Sequence, residues 1–353
     1  MLARLLRAWA GQQVEAVVTE LALENFKSFN SEVVPFDPLT LVIGANASGK
    51  SNLRDALRLL HAVGRKLSLA ECLNGAYGEG GQRVWQGVRG GSEEVCRRGR
   101  LTVGRKSYPG RPKKWPTAGT GLQVTLDNGV GKQVYRITVE CRNGVRLLGE
   151  RLDDAGLKRP AFNTHPEERQ RPKNLRGAIA AVQYSTKQGQ DPMITLGDSR
   201  PILTQLPDVP ETSPELRAAL ERTRSQLASI RFLDPIPDAM RDYTRPESVG
   251  LGDHGENLSA AVHNLIASPT KKRELLDWLD ELTPTDIEDL GFYRSDTGEV
   301  LLKIVEPNGR EVSARSASDG TLRYLALATA LLTAAPGQTF FIEEIENGVH
   351  PTR

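Results

Sequence analysis

The segment Gly44–Ser51 constrains the fold of this chain more than any other feature. It reads Gly-Ala-Asn-Ala-Ser-Gly-Lys-Ser, which matches the pattern G-x-x-x-x-G-K-[ST]. The apolar run Leu41–Ile43 precedes it and predicts a buried strand, while apolar residues at helical spacing from about Ser51 predict a helix that fades near Gly64. The sequence therefore predicts a strand, a glycine-rich turn and a helix in succession.

This arrangement suits the binding of a phosphate chain. Gly44 and Gly49 allow a tight backbone path with inward N–H groups, and the helix presents its positive end to the same anion. In such loops the lysine, here Lys50, reaches the β- and γ-phosphates of ATP, and the hydroxyl of Ser51 ligates Mg²⁺. We predict an ATP site formed by Gly44, Ala45, Asn46, Ala47, Ser48, Gly49, Lys50, Ser51 and Asn52.

Two adjacent carboxylates form the second motif. Glu343 and Glu344 follow the apolar run Thr339–Ile342, which predicts a short buried strand. Sheets of α/β proteins bind ligands at the carboxyl ends of their strands. We predict that Glu343 helps to hold Mg²⁺ and that Glu344 is the catalytic base, which orients and deprotonates the attacking water. The plainer alternative is a pair of structural acids at a strand end.

The third motif is Ser-Asp-Gly-Thr at residues 318–321. It precedes an apolar helix predicted from about Leu322 to Ala334. A serine and small residues at a helix N-terminus can form a second anion site. Taken alone, the motif is better explained as an ordinary helix cap.

In this order the three motifs resemble the ATPase head of the RecF/SMC-like branch of ABC-type ATPases. The segment Glu24–Phe29 resembles the N-terminal strand motif of that branch. The segment Glu344–Pro351 resembles the Walker B extension of its coiled-coil-free AAA members, which include OLD-type ATPases. The resemblance implies a P-loop NTPase of the α/β class: a mixed sheet like that of an ABC-ATPase head, with an antiparallel β subdomain and a variable insertion.

The resemblance also implies roles for residues beyond the phosphate loop. Ser318, Asp319 and Gly320 would act as the ABC signature and contact ATP bound to the opposite subunit, so that two ATP molecules lie between the subunits of a homodimer. Lys27 and Ser28 would contact the nucleotide. One departure from the family pattern is that Glu343 stands where these heads usually have aspartate, and no Q-loop glutamine can be assigned.

The motifs and the changes of composition predict four regions. These are an N-terminal extension at 1–15, an N-terminal ATPase lobe at 16–64, a variable insertion at 65–245 and a C-terminal ATPase lobe at 246–353. Alternating apolar residues at Leu122–Leu126 and Val134–Val139 predict antiparallel strands in the insertion, and Ser213–Ser229 reads as a helix.

Related heads continue beyond Walker B with a helix, a core strand and a switch histidine. Only nine residues follow Glu344 here. The resemblance therefore predicts a chain truncated after Walker B. The alternative is a natural short form whose missing elements come from another chain or from Met1–Gln12.

A basic segment without acidic residues lies at Arg97–Lys114. The whole chain has 46 Lys plus Arg against 44 Asp plus Glu, a net charge of +2 that by itself indicates no polyanionic partner. Local clustering suits contact with DNA phosphates, and the alternative is a solvated loop. The candidate DNA contacts are Arg97, Arg98, Arg100, Arg105, Lys106, Arg111, Lys113 and Lys114.

These features predict a cytoplasmic, Mg²⁺-dependent ATPase that acts in DNA repair or anti-phage defence. The longest apolar stretch, Leu325–Ala335, falls short of the ~20 residues that a membrane span needs. No nuclease constellation is visible, so the effector or nuclease would be a separate protein. The alternatives are a scaffold that binds ATP without hydrolysis and, third, a transporter ATPase.

Overall fold

The computed structural model describes residues 18–96, 119–127, 131–141, 144–157, 160–164, 177–183, 191–248, 250–282, 287–335 and 337–343. The chain divides into two compact units. The N-terminal unit spans Glu15–Ile230, and the C-terminal unit is formed mainly by Arg231–Arg353. Each unit is described by itself.

A large antiparallel sheet dominates the N-terminal unit. Its strand order is β10-β9-β8-β7-β6-β5-β1-β2, and β3 and β4 form a separate small hairpin. The strand nearest the N-terminus, β1, therefore lies inside the sheet between β2 and β5. In chain order the strands are β1 (Val18–Phe26), β2 (Phe29–Pro35), β3 (Ala76–Tyr77), β4 (Arg83–Trp85), β5 (Gly119–Asp127), β6 (Lys132–Glu140), β7 (Arg146–Asp154), β8 (Phe162–Asn163), β9 (Ala178–Gln183) and β10 (Met193–Gly197).

Two long helices of this unit pack against each other. The helices are α1 (Lys50–Gly64), α2 (Leu69–Asn74), α3 (Gly91–Glu94), α4 (Ile202–Gln205) and α5 (Pro214–Ala228). At the end of α1 a Cβ on Gly64 would lie 2.4 Å from the backbone nitrogen of Ala228, so only glycine permits this close approach. The guanidinium of Arg224 donates to the Gly64 carbonyl at 2.8 Å and joins the same two helix ends.

The apolar alternation of the sequence explains the pairing of β5 with β6. Leu122 lies opposite Ile137 and Val124 opposite Tyr135, and all four side chains are buried. Removing such side chains from water is the main favourable term in folding. The two strands predicted from this pattern are confirmed, as are the helix after the phosphate loop and the helix that Ser213 caps.

A buried carboxyl group joins the sheet to α4. Glu150 of β7 accepts hydrogen bonds from the backbone N–H groups of Ile202 at 2.5 Å and Leu203 at 2.9 Å, and from the Tyr135 hydroxyl at 2.8 Å. Complete burial outweighs these donors and raises the pKa of Glu150 to about 7. Burial beside Glu150 also raises the pKa of Tyr135 well above its ordinary value.

The C-terminal unit combines a parallel strand pair, a three-stranded antiparallel sheet and helices. β11 pairs in parallel with β15, and β13 lies between β12 and β14. The buried face of α8 includes Leu322, Leu325 and Ala328, which belong to the core of this unit. The elements are β11 (Arg231–Leu233), β12 (Asp289–Arg294), β13 (Val300–Val305), β14 (Glu311–Ser313), β15 (Phe340–Ile342), α6 (Leu258–Leu265), α7 (Pro269–Leu282) and α8 (Asp319–Leu332).

The predicted fold class, mixed α/β with an antiparallel β part, is confirmed. The prediction of a strand at Leu41–Ile43 is wrong, because these residues lie in no strand, and Leu41 and Ile43 are 73% and 84% exposed. An apolar run specifies a strand only where a neighbouring strand accepts its backbone hydrogen bonds. The predicted region boundaries stay a prediction. Within the described part of the chain, no helix combines the length and hydropathy that a bilayer span requires.

We expect Glu150 to make stability depend on pH. Its pKa rises from 4.5 to about 7 on folding, so the folded state binds more protons between these values. The free energy of unfolding should therefore fall as the pH rises through this window, by an amount of order 3 kcal/mol from this group. In Glu150→Gln the free energy of unfolding, measured with urea at pH 5, 6, 7 and 8, should depend less steeply on pH. Glu211→Gln, an exposed control, should keep the wild-type slope; a wild-type slope in Glu150→Gln would contradict the assignment.

Candidate nucleotide site

The phosphate loop runs into α1 through a left-handed turn. Ala47 and Gly49 have φ angles of +65° and +106°. The backbone N–H of Ser48 donates to the Ala45 carbonyl at 3.2 Å, and the Gly49 carbonyl accepts from Asn52 at 2.9 Å. The loop is therefore tightly turned, as the glycine spacing predicts.

The start of α1 has the character of an anion site. Gly49 caps the helix without a side-chain hydrogen bond, and the first turn contains no acidic residue. No side chain therefore occupies the N–H groups of this turn, although the Asn52 N–H donates to the Gly49 carbonyl, and no acid neutralises the positive end of the helix dipole there. These features fit a phosphate chain.

The Lys50 amine lies over the loop that it follows. It contacts the Gly44 carbonyl and lies 3.2 Å from the Ala45 carbonyl. This position puts a positive charge beside the backbone turn. The hydroxyl of Ser51 belongs to the first turn of the same helix, and an alcohol oxygen suits a hard cation such as Mg²⁺.

The β1–β2 turn supports the phosphate loop from one side. Ser28 Oγ accepts a hydrogen bond from the Asn52 side chain at 2.8 Å, and it would lie 3.1 Å from a Cβ placed on Gly49. Lys27 is only 9% exposed and donates to Asp55 at 2.5 Å and to the Arg89 carbonyl at 2.7 Å. Ser28 and Asn52 are thus beside the loop, whereas the Lys27 amine is engaged with α1. The predicted nucleotide contacts of both residues stay a prediction.

Asp55 was not singled out from the sequence, yet it organises this side of the site. Its carboxylate is 2% exposed and pairs with both Lys27 and Arg89, the latter at 3.1 Å. Nothing in the local sequence marks this cluster, because the three residues are separated by 28 and 34 positions. The sequence shows only that Asp55 follows Lys50 just beyond the first turn of the predicted helix, and this spacing does not identify its partners.

The Walker B segment lies in the C-terminal unit. β15 ends at Ile342, and the backbone N–H of Glu343 donates to the Leu233 carbonyl of β11 at 3.2 Å. Glu343 is therefore delivered by a strand end, as predicted. Glu344 lies outside the described residues, as do all eight candidate DNA contacts between Arg97 and Lys114.

The signature-like segment forms a well-defined helix start. Ser318 caps α8, with its hydroxyl accepting from the Thr321 N–H at 3.1 Å. The helix begins at Asp319, three residues earlier than predicted from the apolar pattern. Both the cap and the proposed anion contact remain compatible with this geometry.

One arginine that the sequence did not indicate holds the segment in place. Arg241 donates to the carbonyl oxygens of Ala314 at 3.0 Å, Arg315 at 3.2 Å and Ala317 at 3.0 Å. It also pairs with the Asp319 carboxylate at 2.5 Å. The loop before α8 is therefore fixed from within its own unit.

Among the described side chains, no group of three or more His, Cys, Asp or Glu residues gathers as a metal site. The predicted Mg²⁺ donors, Ser51 and Glu343, provide oxygen atoms only, which is the ligand type that Mg²⁺ prefers. The donor chemistry therefore fits the ion.

Comparison with known proteins gives one family match. The profile of the family described as "AAA domain, putative AbiEii toxin, Type IV TA system" matches residues 39–353. No curated protein matches the sequence significantly.

Two solved structures are similar at low identity. The Smc head domain of Pyrococcus furiosus, with an extended coiled coil and bound to the C-terminal domain of ScpA, is 13% identical, with 95% of this chain and 83% of that chain covered and a TM-score of 0.43. The recombination mediator RecF with ATP, from the RecFOR pathway, is 12% identical, with 96% and 87% covered and a TM-score of 0.33.

Gly49→Ala should damage the phosphate loop. The new Cβ would adopt φ +106° and lie 3.1 Å from Ser28 Oγ and 3.2 Å from the Phe29 ring, so the loop must shift. We expect at least a tenfold loss of affinity for a fluorescent ATP analogue. Gly81→Ala is the control, since Gly81 has φ +74° with nothing within 4 Å of its added Cβ. Equal nucleotide affinity in both variants would show that the loop does not bind the nucleotide.

Proposed function

This chain belongs to the AAA domain family of AbiEii type, and on that premise we propose that it binds ATP with Mg²⁺ and hydrolyses ATP to ADP and phosphate. The matched residues 39–353 include the phosphate loop, the signature-like segment and both Walker B carboxylates. The part of the predicted resemblance that names the AAA family is confirmed by this match.

The observation that supports the proposal most is the start of α1. A helix that begins at a left-handed glycine, without side-chain cap or acid in its first turn, offers several N–H donors to an anion. Lys50 adds a full positive charge over the same turn. A nucleoside triphosphate provides the negative charge that this arrangement would bind.

Each residue then has a distinct role. Lys50 binds the β- and γ-phosphates, and the oxygens of Ser51 and Glu343 hold Mg²⁺, which neutralises phosphate charge when bound. Glu344 takes the proton of the attacking water. The longer side chain of Glu343, where related heads have aspartate, leaves the non-hydrolysing scaffold as the alternative.

Dimerisation is the second part of the proposal. Ser318, Asp319 and Gly320 would contact ATP on the opposite subunit of a homodimer. The segment sits at the start of α8, where the helix dipole favours an anion, and the Asp319 carboxylate in this turn is paired with Arg241, which offsets its negative charge.

For the pathway, support comes from the family description, which reads "putative AbiEii toxin, Type IV TA system". We propose a cytoplasmic role in anti-phage defence in preference to DNA repair, with a separate effector or nuclease protein as partner. Direct DNA contact by the basic segment Arg97–Lys114 is part of this proposal. A transporter role is disfavoured by the signature Ser-Asp-Gly-Thr and by its long separation from Lys50.

Lys50→Ala tests nucleotide binding. The loop would lose its full positive charge while its backbone donors remain, so the affinity for ATP should fall at least tenfold. Calorimetric titration measures the affinity, and the melting temperature should stay at the wild-type value. Lys132→Ala removes an exposed lysine of the same unit and serves as control. Unchanged ATP affinity in Lys50→Ala would refute the phosphate-loop assignment.

Glu344→Gln tests hydrolysis and assembly. The amide keeps the shape but cannot accept the proton, so ATP should bind without turnover and hold the dimer closed. We expect a steady-state rate reduced at least a hundredfold and a dimer mass by light scattering with ATP and Mg²⁺. Glu247→Gln, at an exposed position, is the control. Wild-type turnover in Glu344→Gln would exclude it as the base, and a persistent monomer would argue against shared ATP.

A further inference from the structure

A cavity of about 370 Å³ lies in the N-terminal unit between α1 and the loop that joins β4 to α3. Its size falls in the range of small-molecule sites. Among the described residues, four arginines and one acidic residue, Asp55, line it: Arg54 and Arg58 come from α1, Arg83 from β4, and Arg89 from the loop. Such a wall has an excess of positive charge.

The arginines are held by neighbouring groups. The guanidinium of Arg58 lies 4.8 Å from the ring centroid of the buried Trp85, a cation–π arrangement. The guanidinium of Arg83 donates to the carbonyls of Asn74 at 3.2 Å and Gln86 at 2.8 Å. Fixed guanidinium groups lose little conformational entropy when an anion binds.

The one acidic residue in the wall does not balance this charge. Asp55 is bound by Arg89 at 3.1 Å and also by Lys27, whose amine lies outside the lining. The carboxylate therefore already has two cationic partners. Among the described lining residues the guanidinium groups outnumber the carboxylate, which favours a ligand with several negative oxygens, and the planar guanidinium group matches phosphate best.

The loop that lines the cavity packs closely against the end of α2. Gly87 has φ +74°, and a Cβ there would lie 2.5 Å from the Leu73 carbonyl. The Val88 N–H donates to the same carbonyl at 2.9 Å. The backbone of this part of the wall is thus attached to α2.

The cavity is separate from the phosphate loop. Along α1, Arg58 lies eight residues beyond Lys50, which corresponds to about 12 Å at the helical rise. Trp85, which holds Arg58, belongs to β4 and not to the phosphate loop. Phosphates seated at the start of α1 cannot occupy the far end of this cavity at the same time.

We propose that this arginine cavity is a second phosphate-binding site, which takes the phosphoryl groups of a free polyphosphate or of a nucleic-acid backbone. The proposal does not depend on ATP hydrolysis. It also concerns other residues than the DNA contact suggested for Arg97–Lys114, since it is argued from α1, β4 and the loop after β4.

The test uses the full chain with Lys50→Ala, so that the phosphate loop contributes little. Two probes are compared: tripolyphosphate by calorimetry, and a fluorescein-labelled single strand of about 16 nucleotides by anisotropy. The cavity variant adds Arg54→Gln and Arg89→Gln. The matched control adds Arg200→Gln and Arg217→Gln, two exposed arginines of the same unit that also donate to backbone carbonyls.

We expect the cavity variant to bind at least one probe about tenfold more weakly or worse, while the control keeps its affinity. If the ligand is a nucleic-acid backbone, the slope of log affinity against log salt concentration for the single strand should be shallower in the cavity variant, by about 0.7 for each lost contact. A free polyphosphate source would appear as loss of tripolyphosphate binding, with strand binding unchanged.

Equal affinity of the cavity variant and the control for both probes would overturn the proposal. The same substitutions are also made in the chain with Lys50 intact, and a loss of binding seen only there would likewise overturn the proposal, because the cavity would then act through the nucleotide site. Melting temperatures establish that the variants fold. If the double substitution unfolds the chain, Arg83→Gln at an exposed side chain replaces it, with the same expected and contrary results.

Discussion

The ion pairs of the Asp55 carboxylate are the interaction on which the candidate nucleotide site depends. A buried charge is costly unless it is paired and hydrogen-bonded, and this one is bound by Lys27 from the β1–β2 turn and by Arg89 from the glycine-rich loop. Asp55 itself belongs to α1, so three separate segments meet at one group. Removing any one of these three side chains would leave part of the charge of the other two uncompensated.

The Asp55 ion pairs relate the phosphate loop to the arginine cavity. On one side of α1, Ser28 and Asn52 hold the turn of the phosphate loop in place. On the other, Arg89 contributes to the arginine cavity while its carbonyl accepts the Lys27 amine. The helix is therefore anchored at its beginning by the strand turn and along its length by the loop, and both contacts share the Asp55 charge.

The sequence predicted the structure correctly where it depends on residues close together in the chain. The pattern of Gly44–Ser51 predicts a helix from about Ser51, and the helix begins at Lys50, since the glycines and the dipole act within a few residues. It failed at Leu41–Ile43, because a strand needs a partner that an apolar run cannot specify. It could not find Arg241 or the Asp55 cluster, because those contacts join residues far apart in the chain and depend on tertiary packing.

The contacts of Arg241 have a consequence for recognition. Because one guanidinium fixes three carbonyls and the first acidic side chain of α8, the loop before this helix is ordered before anything docks against it. Ordering a loop at the moment of association costs conformational entropy, and here that cost is met during folding. In the proposed dimer, a partner that contacts Ser318 would meet a loop already held by these contacts, so the strength of association would reflect the fit of the partner and not the capture of a rare loop conformer.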